Sequence, residues 1–219
     1  ITIPTGSSSA SSAAFTVRAD DAYVQGTGTV STSISTTSGG NFESITKVGT
    51  PSTSVTDNST ATVVTLTASA GTVNEGGSIV YTATVNNPVT GSDLVITLTN
   101  GQTITIPSGS STANSAAYAV RADDAYAQGS VPLVVGISGT PTGGNYEALT
   151  TTSTATTNVT DNATATTVTL TASTASVAEG GSIIYTATAS NVVQGTALVV
   201  TLVAAAIPWF LERVRRNLR

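Results

Sequence analysis

The sequence predicts an all-β protein made of tandem immunoglobulin-like β-sandwich repeats of about 104 residues, and three observations carry that prediction. Apolar residues alternate with period two in one run after another, Gly, Asn and Pro turn signals separate the runs, and the whole pattern returns once per repeat. Ile1-Thr2-Ile3-Pro4 returns as Ile104-Thr105-Ile106-Pro107, and Val17-Arg18-Ala19-Asp20-Asp21-Ala22-Tyr23 as Val120-Arg121-Ala122-Asp123-Asp124-Ala125-Tyr126, at an offset of 103 residues. One inserted residue later the offset is 104, carrying Gly40-Asn41-Phe42-Glu43 to Gly144-Asn145-Tyr146-Glu147, Asp57-Asn58 to Asp161-Asn162 and Glu75-Gly76-Gly77 to Glu179-Gly180-Gly181. So long a period denotes whole domains rather than solenoid or propeller units. Residues 1–58 are then the C-terminal part of one repeat, 63–161 a complete repeat, 165–203 the N-terminal part of a third, and 204–219 a basic tail outside the pattern.

Within the complete repeat the strands follow in order. Val64, Leu66 and Ala68 share one face; Ile79, Tyr81, Ala83 and Val85 share the next, then Leu94, Ile96 and Leu98, then Ile104 and Ile106. Ala116, Tyr118 and Val120 follow, and Leu133, Val135 and Ile137 close the series. Turn signals stand between them: Asn74-Glu75-Gly76-Gly77, Asn86-Asn87-Pro88, Asn100-Gly101, Gly109-Ser110-Ser111, Gly129-Ser130 and the stretch from Gly139 to Gly144. Asn100-Gly101 between Leu98 and Ile104 is the strongest hairpin signal. Short, half-buried strands without a helical period predict two packed sheets, with a closed barrel as the alternative.

Composition agrees with this fold and removes several kinds of chemistry. Only 9% of residues are charged, and there is no Cys, His or Met. Disulfides, thiolate catalysis and zinc-thiolate sites are thereby excluded, as is the usual acid-base residue near neutral pH. Without Met the sequence does not begin at a start codon and reads as a fragment. No nucleophile-base pair and no phosphate-cradling loop is found, so no enzyme is expected. The joints, Val55-Thr56-Asp57-Asn58 onward and Val159-Thr160-Asp161-Asn162 onward, lack the Gly/Ser or Pro runs of a tether. Neighbouring repeats are therefore expected nearly in contact, end to end.

The carboxylates carry the main chemical signal. Ten of the 12 form pairs at matching places in two repeats: Asp20/Asp123, Asp21/Asp124, Glu43/Glu147, Asp57/Asp161 and Glu75/Glu179. They sit in loops or at strand ends beside Gly, Asn or another Asp, the surroundings a hard, oxygen-seeking Ca²⁺ requires. The bland alternative is that these acids shape turns through side-chain to backbone hydrogen bonds. Calcium is the preferred reading, because a Glu beside Gly-Gly is a poor turn former. Arg18 and Arg121, each two residues before an Asp pair, are expected to buttress that pair. Tyr81 and Tyr118 fall in inward-facing sets and are expected in the core rather than on a glycan-binding face.

Taken together, Val73-Asn74-Glu75-Gly76-Gly77-Ser78-Ile79-Val80-Tyr81, Leu98-Thr99-Asn100-Gly101-Gln102-Thr103-Ile104, the Val120 to Tyr126 box, Gly143 to Glu147 and Val159-Thr160-Asp161 resemble the immunoglobulin-like extender repeats of giant RTX-type bacterial adhesins. The resemblance spans residues 1–203. It implies a secreted protein on the bacterial cell surface, in biofilm or ice-binding adhesins, with calcium at domain junctions stiffening a stalk that holds a distal adhesive domain away from the cell. Carried over, Asp57, Glu75, Asp123, Asp124 and Asp161 would be the ligands nearest the junctions, followed by Asn145 and Glu147, with Asp57, Glu75 and Asp123-Asp124 at one junctional site and Asp161 with Glu179 starting the next. Asp20, Asp21 and Glu179 complete the candidate set by their matching positions. The expected partners are neighbouring repeats of the same chain, with no nucleic acid; a calcium-dependent module binding a glycan, ice or a protein is the alternative.

The pattern stops where Asn100-Gly101-Gln102 should return, at Ala204-Ala205-Ala206. Beyond, Ile207, Phe210, Leu211, Val214 and Leu218 form a helical stripe with arginines opposite, suited to a membrane surface or an anionic partner. A junction artefact is the preferred reading of this tail. The incomplete repeats at either end are complementary, which predicts head-to-tail association of separate molecules by strand addition.

Overall fold

The computed structural model describes residues 1–203, and the tail reading above lies outside them. Among the described residues every regular element is a strand. Before the complete repeat come β1 (Gly28–Ser31) and β2 (Ser52–Val55). Within it follow β3 (Ala61–Ala68), β4 (Thr72–Asn74), β5 (Ser78–Ile79), β6 (Tyr81–Val85), β7 (Leu94–Thr97) and β8 (Thr103–Ile106). Next are β9 (Thr112–Asn114), β10 (Tyr118–Ala119), β11 (Val131–Gly136), β12 (Ala148–Thr150) and β13 (Thr154–Thr160). After it lie β14 (Val168–Ala172) and β15 (Tyr185–Ala189).

Two sheets enclose one core. The first has the order β12-β3-β6-β9, with β5 and β10 extending β6 and β9. The second has the order β4-β13-β11 and is joined to the β7-β8 hairpin through the bridges Leu98↔Ile137 and Val95↔Thr142. Val64 and Leu66 of β3, Tyr81, Ala83 and Val85 of β6, Leu94 and Ile96 of β7, Ile104 and Ile106 of β8 and Val135 of β11 all belong to one buried cluster. The period-two alternation thus places each predicted apolar set indoors, with one exception.

The exception is Ala116, which is exposed, whereas Ser115 is buried. Between the pairs Tyr118↔Ile79 and Thr82↔Asn114 the β9-β10 side carries one residue more than its partner strand. That extra residue is a bulge and shifts the inward phase by one. Ser115 Oγ then accepts the Tyr81 N–H at 3.0 Å, so a hydroxyl and not a methyl faces inward here. The Asn100-Gly101 hairpin is present, closed by Gly101 N–H to Leu98 O (2.9 Å) and Leu98 N–H to Gln102 O (2.8 Å). Its loop has three residues, and only Gly101, at φ +83°, takes the left-handed conformation of a bulged turn.

The last strand escapes a purely apolar search. β13 alternates Ala155, Thr157 and Val159 inward, and Thr157 is fully buried with its hydroxyl donating to Ala70 O at 2.8 Å. Thr62 is buried in the same way and accepts from Asn87 Nδ2 at 2.9 Å.

The chain divides into two compact units, Ile1–Ala122 with Ser130–Thr160, and Asp123–Gly129 with the segment from Asp161 on. In the first unit β1 pairs with β2 in the register of β11 with β13: Gly28↔Val55 corresponds to Val131↔Val159. In the second, β14 pairs with β15 as β3 does with β6: Val168↔Ala189 corresponds to Val64↔Val85. Yet Leu170 is 48% exposed where its counterpart Leu66 is 3% exposed. Local pairing therefore returns with the sequence, while burial depends on the second sheet.

Candidate functional site: the joint between repeats

In the first unit the Asp20-Asp21-Ala22-Tyr23 box docks on the complete repeat. Asp21 Oδ1 accepts the Tyr23 N–H at 2.8 Å, folding the box into a turn that projects the tyrosine. The Tyr23 hydroxyl donates to Pro88 O at 2.7 Å, and its ring stacks on Tyr146 with centroids 5.7 Å apart. Main-chain bonds tie the same surfaces together: Val24 N–H to Asn145 O and Glu147 N–H to Ala22 O, both at 3.1 Å. Ala22 is buried. The receiving loop depends on Gly143, whose φ is +83° and where a Cβ would lie 2.0 Å from Asp93 O. Burial, with Tyr23 adding to it, pushes the Tyr146 hydroxyl up to about 12, and that hydroxyl donates to Asn87 O at 2.8 Å.

Three carboxylates surround the connecting segment. Glu147 Oε2 accepts the Thr60 N–H at 2.6 Å, and Asp20 Oδ2 accepts the Thr60 hydroxyl at 3.1 Å. Asp57 Oδ2 accepts the Gln25 N–H at 2.7 Å, and its Oδ1 meets Arg18 at 3.2 Å. The Gln25 backbone bond is the main cause holding the Asp57 carboxyl below its ordinary value, against a smaller opposing effect of burial; Gly26, Arg18 and the nearby Glu147 side chain add to the lowering.

The second unit repeats these bonds. Asp124 Oδ1 accepts the Tyr126 N–H (2.7 Å), the Tyr126 hydroxyl donates to Val192 O (2.8 Å), Asp161 Oδ2 accepts the Gln128 N–H (3.0 Å) and Asp123 Oδ2 accepts the Thr164 hydroxyl (3.1 Å). Gln25 and Gln128 also donate to Asp21 and Asp124, respectively. These glutamines, with Thr60 and Thr164, are joint residues missed by a search for charge. Their return at the offsets of the Asp pairs was the available signal.

Glu75 belongs elsewhere. Its side chain is wholly buried and accepts from Arg121 Nε at 2.8 Å, while Glu75 N–H donates to Thr160 O. From Ala61 to Asn74 the extended chain covers roughly 40 Å, which puts Glu75 and Asp57 at opposite ends of the repeat. Two sequence readings are thereby corrected. Glu75 does not share a pole with Asp57, and Arg18 pairs with Asp57 and Arg121 with Glu75, while in each Asp pair the second member accepts a turn N–H and the first a threonine hydroxyl. Glu179, the counterpart of Glu75, is exposed.

The sequence model of one family, the LapA domain, matches the chain over residues 1–58 and again over 60–162. The chain belongs to the LapA domain family. LapA domains are adhesin-related, so the protein is similar to bacterial surface adhesins, with a biofilm-associated role and a place at the cell surface. Neither the curated proteins nor the solved structures yielded a match. Among the described residues no helix is long and apolar enough to cross a membrane.

Among the described residues no three His, Cys, Asp or Glu side chains group closely enough to hold a metal ion. Asp161 Oδ1, however, is buried without a hydrogen-bond partner. An oxygen-seeking cation that completes its shell with carbonyls and water fits that orphaned atom.

Proposed function

We propose that this LapA segment is a spacer: a non-enzymatic stalk in which repeats are locked end to end and hold a distal adhesive region away from the cell. The observation that supports it is the Tyr23 box seated on Pro88, Asn145 and Tyr146, since a docked side chain, a ring stack and main-chain bonds across a short joint restrict bending far more than a flexible linker does. Calcium is proposed as the second lock. Asp161, whose Oδ1 is buried without a partner, is the residue around which such a site would form, with carbonyl oxygens and water completing the shell, and Asp57 is its counterpart one repeat earlier. Bound there, the ion would neutralise that carboxylate. Extracellular calcium modules bind at about 10⁻⁴ to 10⁻³ M, so the transition belongs at millimolar calcium. Small-angle scattering of the chain with and without a chelator tests the cation: the proposal requires a change in maximum dimension on calcium removal, and an unchanged value contradicts it.

A further inference from the structure

The first and last strands of the complete repeat run parallel, and this gives the fold a mechanical property. β12 lies beside the start of β3, with Ala148↔Ala61 to Thr150↔Val63, and β13 lies beside β4, with Asn158↔Thr72 to Thr160↔Asn74. The chain enters at the Ala61 end of this seam and leaves at the Thr160 end. Tension along the stalk pulls β3-β4 one way and β13 the other. The seam is then loaded in shear, with all its bonds strained together, whereas strands whose loaded ends lie at one pole would unzip one bond at a time.

Further bonds reinforce the seam, those of Ser153 and Thr157 coming from side chains where the ladder lapses between its two parts. Ser153 Oγ accepts the Leu66 N–H at 2.9 Å, Thr157 Oγ1 donates to Ala70 O at 2.8 Å, Asn158 N–H donates to Gly71 O at 2.9 Å, and Thr160 Oγ1 donates to Asn74 Oδ1 at 2.8 Å. Thr157 is fully buried, so water does not compete for its bond. At the exit end the buried Glu75 carboxylate and Arg121 anchor the turn that follows β4.

We propose that this parallel seam, riveted by Ser153, Thr157 and Thr160, is a force-bearing clamp that lets each repeat carry tension without any bound cation. The inference extends the stalk reading but does not depend on calcium. The chain has no cysteine, so Ile1→Cys and Val203→Cys provide unique handles for single-molecule pulling. The clamp predicts one high-force event that releases the 61–160 segment and persists in chelator. Ser153→Ala and Thr157→Val should each speed unfolding at fixed load about fivefold, the factor carried by one ordinary hydrogen bond. Ile104→Val, in the core away from the seam, should leave that rate near the unsubstituted value while lowering resistance to denaturant. Loss of the event on chelation, or an equal effect of Ile104→Val and the seam variants at matched chemical stability, overturns the clamp. Persistence of the event with a scattering profile indifferent to calcium would leave the clamp standing and remove only the cation.

Discussion

Glu75 shows how a residue that looks like a ligand serves a different end. Its buried carboxylate is stabilised by Arg121 at 2.8 Å, and removing one partner of such a pair typically costs about 3–5 kcal/mol because the other charge stays buried. Arg121→Ala should therefore lower the stability of the complete repeat by that order in denaturant titration, more than Arg18→Ala, whose ion pair is partly exposed. Gly143→Ala should prevent the receiving loop from forming, since its Cβ would overlap Asp93 O. Both joint groups with shifted ionisation make pH predictions. Asp57, with its lowered value, contributes stability above the ordinary carboxylate range, about 3.9, and loses it as pH falls through the lowered value. Tyr146 contributes fully below about pH 10, the ordinary tyrosine value, and that contribution fades as pH rises toward about 12. Tyrosinate absorbance followed against pH should show Tyr146 ionising late, and Tyr23→Phe should loosen the joint without restoring an ordinary Tyr146.

Among the elements, alternation made the apolar strands legible, because a half-buried strand must place every second side chain indoors. β13 was harder to find, since one of its three inward residues is a threonine whose hydroxyl is satisfied by Ala70 O. The bulge before β10 was illegible, since one extra residue leaves no compositional mark. At the joint the repeat offset located the Asp pairs and Tyr23, but the sequence does not say which partner each one meets. Glu147 ranked low from sequence, yet it sits beside Thr60, while Glu75 ranked high and lies at the other pole. Tyr23→Ala tests the joint as an element. Losing the stack and one hydrogen bond should cost about 1–3 kcal/mol of docking, with the denaturation midpoint of the complete repeat nearly unchanged.

For the whole molecule, two strand pairs outside the complete repeat keep the repeat register. β14-β15 exposes Leu170 and Tyr185, and β1-β2 is formed by the strands that would lie in the opposite sheet. The proposed head-to-tail association of separate chains follows from that complementarity. Sedimentation should show mass rising with concentration; a monomer throughout a wide range would remove the idea. The central claim, however, is that adjacent repeats are locked by the Tyr23 box. Spin labels at Thr29→Cys on β1 and Thr84→Cys on β6, both exposed, report the separation across the joint directly. A single narrow distance distribution that broadens with Tyr23→Ala is the predicted result, and a distribution equally broad with and without Tyr23 would contradict it.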